Sequence, residues 1–251
     1  MLSRRISAIA PAATLLLASV AIAFAAATAP EESPARISTI SGDANIRRGG
    51  STNWITARPN MPVKVGDQIS TGQESYVEVR YSIGTVLRMN ENTRIVLQSA
   101  SGDSLRTENL VGNVWVNMKK LTKKGHIFDV SSPTAVASIR GTVFQFDAAP
   151  DSSAYVSVFD GKVAVGPSDS LKKKIEPPSG PKGEVTEVPG PTEVPGPYEV
   201  PLDRWRMIVA GQKIAVHKDG KFAEEKFDMK KASTDNFVKK NKELDKALMK
   251  E

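Results

Sequence analysis

Between residues 36 and 166 the apolar residues fall into short runs with a period of two, divided by Gly, Pro, Asn, Asp and Ser. Val77, Val79 and Tyr81 alternate with Glu78 and Arg80, and Val114, Val116 and Met118 line one face of their own run. Such alternation predicts half-buried strands, because successive side chains leave a strand on opposite faces. Ile37 and Ile40 start a strand that turns at Gly42-Asp43 and returns through residues 44–46, and Trp54 opens the next segment. Further strands are predicted at 63–65, between Gly66 and Gly72, at 86–89 after a Ser82-Ile83-Gly84 turn, at 95–97 and at 127–130. Residues 135–139, 142–146, 155–159 and 162–165 are four more runs rich in β-branched and aromatic side chains. Asp160-Gly161 reads as a hairpin turn between the last two, since that turn needs positive φ. Arg140-Gly141-Thr142 reads as a bulge or a close backbone approach inside a sheet. Strands spaced about 8–12 residues apart with turn chemistry between them predict an all-β fold, an antiparallel β-sandwich or barrel-like domain. It spans residues 36–170.

The pattern then changes. Residues 171–202 contain two copies of Thr-Glu-Val-Pro-Gly-Pro, starting at Thr186 and Thr192, and the beginning of a third at Tyr198. Such a segment donates few ladder hydrogen bonds and buries no core, so it reads as a solvated, extended Pro-rich insertion. Residues 203–224 resume strand character around Ala210-Gly211-Gln212 and Asp219-Gly220. An isolated hairpin is marginal in water, so this one is expected to pack back on the β domain. Residues 228–251 have helical composition: Thr234 or Asp235 can cap a short C-terminal helix whose narrow stripe is Phe237, Leu244 and Leu248.

Residues 1–27 read as a signal peptide. Arg4 and Arg5 precede an apolar run over 6–25, and Ala23-Phe24-Ala25 or Ala25-Ala26-Ala27 fits the cleavage rule. The expected location is therefore the periplasm. If the segment is uncleaved, it becomes a membrane anchor.

Composition removes several function classes. The formal charge is +6, falling to +4 without Arg4 and Arg5, and the basic residues are spread out, with one local group at Lys119, Lys120, Lys123 and Lys124. Nucleic-acid binders concentrate charge with stacking aromatics, so no nucleic-acid partner is expected. The absence of cysteine excludes disulfides, thiol catalysis and thiolate metal sites. His126 and His217 stand far apart without neighbouring carboxylates at ligand spacing, so no metal and no cofactor is expected. Asp43, Asp67, Asp103, Asp160 and Asp219 each adjoin a Gly, a placement that turn formation explains. No nucleophile elbow, phosphate loop or zinc-protease motif occurs, so an enzyme is not expected. Arg140 is the one charge inside an apolar stretch, and a structural ion pair with a turn carboxylate such as Asp67 is the expected reading.

Several of these runs follow one known pattern. Pro133, small and apolar residues, then Arg140, Gly141, Thr142 and Phe144 give P-…-R-G-T-x-F, and Asp160, Gly161 and Val163 give an acidic residue before G-x-V. Gly66, Asp67, Thr71 and Gly72 give G-D-x-I-x-T-G shortly after Trp54, and Gly112 opens a G-x-V-x-V run. In this order and spacing they resemble the FecR domain, with these residues serving as structural family positions. The family's usual Asp-Gly turn has Ile83 in place of the Asp. In signalling members of that family, the domain is the periplasmic half of a regulator. It receives a signal from an outer-membrane siderophore transporter and passes it through a membrane helix to a cytoplasmic segment controlling a sigma factor. Only a short basic start precedes the apolar run here, so the cytoplasmic anti-sigma part is expected to be missing.

The reading that follows is a non-enzymatic periplasmic interaction or signalling module of the cell envelope. Its partner would be an envelope protein or cell-wall glycan, engaged through exposed β edges or the basic loop at 119–124. A peptidoglycan- or polysaccharide-binding protein is the alternative, with Trp54, Trp115 and Trp205 stacking on sugars if they cluster exposed. A membrane-anchored remnant of an iron-uptake regulator is the second alternative.

Overall fold

The computed structural model describes residues 33–101, 104–118, 127–171 and 205–248. The leader, the basic loop at 119–124, His126 and the Pro-rich repeats lie outside the described residues. All described residues belong to one compact unit, Ser33–Glu251.

In chain order the strands are β1 (Ala35–Ser41), β2 (Ala44–Arg47), β3 (Trp54–Thr56), β4 (Pro62–Val63), β5 (Gln68–Thr71), β6 (Tyr76–Tyr81), β7 (Thr85–Met89), β8 (Arg94–Ser101) and β9 (Ser104–Met118). They continue with β10 (Ile127–Ser131), β11 (Ala135–Ile139), β12 (Val143–Ala148), β13 (Ala154–Asp160), β14 (Lys162–Pro167), β15 (Arg206–Val209), β16 (Lys213–Val216) and β17 (Phe222–Glu225). Two helices follow, α1 (Met229–Ala232) and α2 (Asn236–Leu248). The all-β expectation holds.

Backbone pairing joins these seventeen strands into one sheet. It is open, and it folds into two layers. The first layer runs β4-β1-β6-β7-β9-β12-β13-β16-β17. The second runs β3-β2-β5-β8-β9-β10-β11-β14-β15. Strand β9 belongs to both: residues 104–111 pair with β8, and residues 112–117 pair with β12. The antiparallel expectation is corrected at one place, where β9 and β10 pair in parallel. Parallel neighbours need a long crossover, and the far half of β9, which runs in the first layer, opens it.

Period two explains the layering. Val77, Val79, Leu87, Val114, Val116, Phe144, Phe146, Val156 and Val158 point inward from the first layer, and Ile46, Ile69, Ile95, Leu97, Phe128, Val130 and Val163 from the second. They meet in one core. The β6–β7 hairpin forms as expected, and Ile83 in its turn is buried in that core. An Asp there would be desolvated, which accounts for the apolar residue.

Two expected turns are corrected. Residues 160–161 do not close a hairpin, because β13 lies in the first layer and β14 in the second. The chain crosses between layers there, and again in the opposite sense at Arg140-Gly141-Thr142. Likewise β15 and β16 do not pair with each other across Ala210-Gly211-Gln212: β15 joins β14 and β16 joins β13. The hairpin in this region is the next one, β16–β17.

Candidate functional site

The family positions cluster at layer crossings. Gly141 and Gly161 sit side by side, both at positive φ (67° and 84°). A Cβ on Gly161 would stand 2.8 Å from the Gly141 carbonyl oxygen, so a side chain has no room. Buried Thr142 donates to the Lys162 carbonyl at 2.8 Å, tying the two crossings together. Phe144 and Val163 then enter the core, Asp160 is exposed, and the carbonyl of exposed Pro133 accepts from Ser168 Oγ at 2.5 Å.

A second rim is built in the same way. Gly72 N–H donates to the Asp43 carbonyl at 2.9 Å, and Asn92 N–H donates to the Gly72 carbonyl at 3.0 Å. Thr71 Oγ1 donates to the Asn90 carbonyl at 2.6 Å and accepts from Thr93 N–H at 3.0 Å. Gly112, at φ 97°, closes on Thr93. Stacked crossings thus satisfy one another's backbone groups, which buried polar groups require.

Gly66, at φ 87°, turns the chain so that Asp67 points inward. Asp67 is 3% exposed and accepts from Arg48 Nη1 at 2.6 Å, Gly49 N–H at 3.0 Å and Lys64 N–H at 3.0 Å. The expected Arg140–Asp67 pair is therefore corrected: Arg48 is the partner. Arg140 is exposed and makes no ion pair among the described residues.

The three tryptophans do not cluster. Trp115 is fully buried on the outer side of the first layer. Trp205 covers Gly166 on the second layer, leaving no space for a Cβ there. Trp54 alone is well exposed, at 37%, with the Arg47 and Arg94 guanidinium groups 5.2 and 5.5 Å from its ring centre. It lies on β3, one outer strand of the second layer. On the other outer strand, β15, Met207 is 63% and Val209 40% exposed.

The opposite side of the sandwich is covered. Asp235 caps α2 by accepting from Phe237 N–H and Val238 N–H at 2.9 and 3.1 Å, which selects it over Thr234 as the cap. The helix seats Phe237 and Val238 against Tyr76, Trp115 and Phe159. A polar network lies beneath it. Glu78, Arg88 and Trp115 are direct cross-strand neighbours on β6, β7 and β9. Arg88, 0% exposed, donates Nε–H to Glu78 Oε2 at 2.8 Å and Nη1–H to Asp245 Oδ1 on α2. Trp115 Nε1–H donates to the other Asp245 oxygen at 2.9 Å. Burial opposes ionisation of Glu78, but hydrogen bonds from Arg88, Ser38 and Arg80 outweigh it and hold the carboxyl below its ordinary value. Burial likewise opposes the charge on Arg88, and its two carboxylate partners more than restore it. Burial raises the Tyr76 hydroxyl pKa. Three buried polar atoms at this seam, Arg88 Nη2, Tyr76 Oη and Asn241 Oδ1, have no hydrogen-bond partner. Two signals that could have revealed the network went unread: Arg88 is, like Arg140, a charge inside an apolar run, and Asn241 and Asp245 fall on the stripe of Phe237 and Leu248.

A cleft of about 540 Å³ opens beside α1, between the first layer and the helices, with Gln145, Asp147, Lys213, Phe227 and Asp235 among its lining residues. Burial pushes the Asp147 carboxyl up to about 6, against the opposing effects of Gln145 and Lys213. Among the described residues, no group of three or more His, Cys, Asp or Glu side chains is placed to hold a metal ion.

A family model described as FecR protein matches residues 67–164. Two crystal structures of a candidate anti-sigma factor from Parabacteroides distasonis ATCC 8503 are similar at a TM-score of 0.46 and 19% identity. The similarity covers 66% of this chain and 62% of that one, so the chain spans less than two thirds of that protein's length. No curated protein matches the chain.

Proposed function

We propose that this chain, whose residues 67–164 match the FecR protein family model, is a non-enzymatic, exported interaction module of the cell envelope with a signalling or regulatory role. The observation that carries the interaction is β15. Among the described residues it pairs only with β14 and exposes Met207 and Val209, while Gln212 takes the outward N–H and C=O of Val209. An extended segment of a partner adds to an outer strand by backbone hydrogen bonds and by packing on its exposed side chains. The apolar side chains at 207 and 209 then meet alternate residues of that segment and set its identity. The partner on this reading is an envelope protein with an exposed strand.

The test is an in-cell crosslink and pull-down with a tagged chain, reading proteins and wall fragments separately. A reproducible envelope protein, lost with Met207→Lys and Val209→Lys together, supports the reading. Recovery of glycan alone, competed by soluble wall fragments, overturns it. That outcome would favour the second reading, polysaccharide binding, for which exposed Trp54 with its two guanidinium neighbours is the supporting feature. Sequencing the N-terminus of the mature protein checks export: a start shortly after Ala25 or Ala27 is expected, and an intact leader would favour the anchored form.

A further inference from the structure

The surface under α2 is a shaped receptor for a carboxylate. Arg88 and Trp115 are paired residues on adjacent strands, and each delivers one N–H to a different oxygen of Asp245. Glu78 fixes the guanidinium from the far side through Nε. Aromatic rings flank the clamp: Lys240 lies 3.8 Å from the centre of Tyr76 and Lys242 lies 4.9 Å from that of Phe159. The face therefore specifies a helix with an apolar residue at position 237, lysines at 240 and 242, and a carboxylate at 245.

The occupant is lightly held. Phe237, Val238 and Leu248 are its only fully buried apolar residues, with Asn241 and Asp245 filling the rest of the seam. Three buried polar atoms there go unpaired, so the seam is not optimised for permanent closure. Residues 226–236 add only half-buried or exposed side chains to the seam, with Phe227, Met229 and Ala232 packed at its border.

We propose that this face is a binding surface for an amphipathic, carboxylate-bearing helix of a partner protein, and that α2 is its resident competitor. Charge complementarity selects that partner: Arg88 keeps one buried Nη2 without an acceptor, and Trp115 offers a donor with no other role. The surface is distinct from the β15 edge, so either can fail without the other.

The probe is a fluorescein-labelled peptide of residues 234–248 added to the full chain, read by anisotropy. The wild-type chain binds it weakly, because α2 competes in cis. The Asp245→Asn chain loses the resident anchor and binds the wild-type peptide at least about tenfold more tightly. Adding Trp115→Phe reverses that gain, and a peptide with Asp245→Asn does not bind. Failure of the peptide to bind the Asp245→Asn chain, or equal binding with and without Trp115, overturns the proposal. Hydrogen exchange on the wild-type chain decides independently of those variants. The amides of α2 are expected to exchange through a local opening, faster than those of β9 and β12. If α2 exchanges only with global unfolding, it is no competitor and the proposal falls.

Discussion

Replacing Asp67 with Asn separates the two ion-pair assignments for this chain. Asp67 is 3% exposed and uses both carboxylate oxygens: Oδ1 takes Gly49 N–H, and Oδ2 takes Arg48 Nη1 and Lys64 N–H. An asparagine puts an NH2 group in place of one oxygen, so in either orientation a donor faces a donor. Breaking a buried pair by removing one partner costs about 3–5 kcal/mol. Arg48 is 36% exposed and regains some solvation, which lowers the expected cost to about 2–4 kcal/mol. For a chain of this size that is a fall in Tm of roughly 4–16 °C. The assay is chemical denaturation of Asp67→Asn, Arg48→Met, Arg140→Ala and the two double variants. Arg48 and Asp67 should couple by about 1–2 kcal/mol, whereas Arg140→Ala should change stability by less than about 0.5 kcal/mol and add to Asp67→Asn without coupling. Coupling above about 1 kcal/mol between Arg140 and Asp67, or a negligible cost of Asp67→Asn, would refute the assignment and with it the bracing role of the first motif.

Four further outcomes follow from the geometry. Gly161→Ala should cost about 2–4 kcal/mol, from positive φ and the 2.8 Å approach to the Gly141 oxygen, seen as a lower urea midpoint with unchanged slope. Asp147 binds its proton more tightly folded than unfolded, so its contribution to stability declines as pH rises from about 4 to about 6; Asp147→Asn should remove that decline and add about 1–3 kcal/mol at pH 7 in denaturation series across pH. Trp54→Phe should remove most of the iodide-quenchable fluorescence, because Trp115 is fully buried and Trp205 half-buried; quenching that persists unchanged would show one of those two to be more accessible than its packing implies. Ile83→Asp restores the family's usual turn residue yet should destabilise by about 1–3 kcal/mol, since it buries a carboxylate where Ile83 packs in the core; a stabilised variant would show the turn conformation to dominate.

The strands were legible because period-two alternation directly records which side chains face the core. Val77, Val79, Val114 and Val116 all lie where the pattern puts them. Layer membership was not legible. Asp160-Gly161 encodes a positive φ, and that φ serves a hairpin and a layer crossing equally well, so the local signal leaves open where the next strand goes. Arg140 misled because an apolar context suggests burial, whereas at a crossing the chain turns outward and exposes it. The Arg88–Asp245 contact spans 157 positions and has no local signature beyond two polar residues on otherwise apolar faces.

Strand β9 is where the motifs and the α2 seam become one structure. Its first half pairs with β8 and β10 in the second layer, and its second half pairs with β7 and β12 in the first. A strand passing between layers must bend sharply, and Gly112 lies at the switch with φ 97°. A Cβ there would stand 2.5 Å from Thr93 Oγ1, so the bend is locked by the neighbouring crossing. Thr93 in turn donates to the Asn113 carbonyl at 3.3 Å and holds Thr71 through its own N–H. Three residues beyond Gly112, the same strand presents Trp115 to Asp245. The motif glycines and threonines therefore set the angle at which the clamp for α2 is offered, and a change at the rim reaches the helix-covered face through a single rigid strand. That continuity gives the motif positions a role in positioning the face that α2 covers.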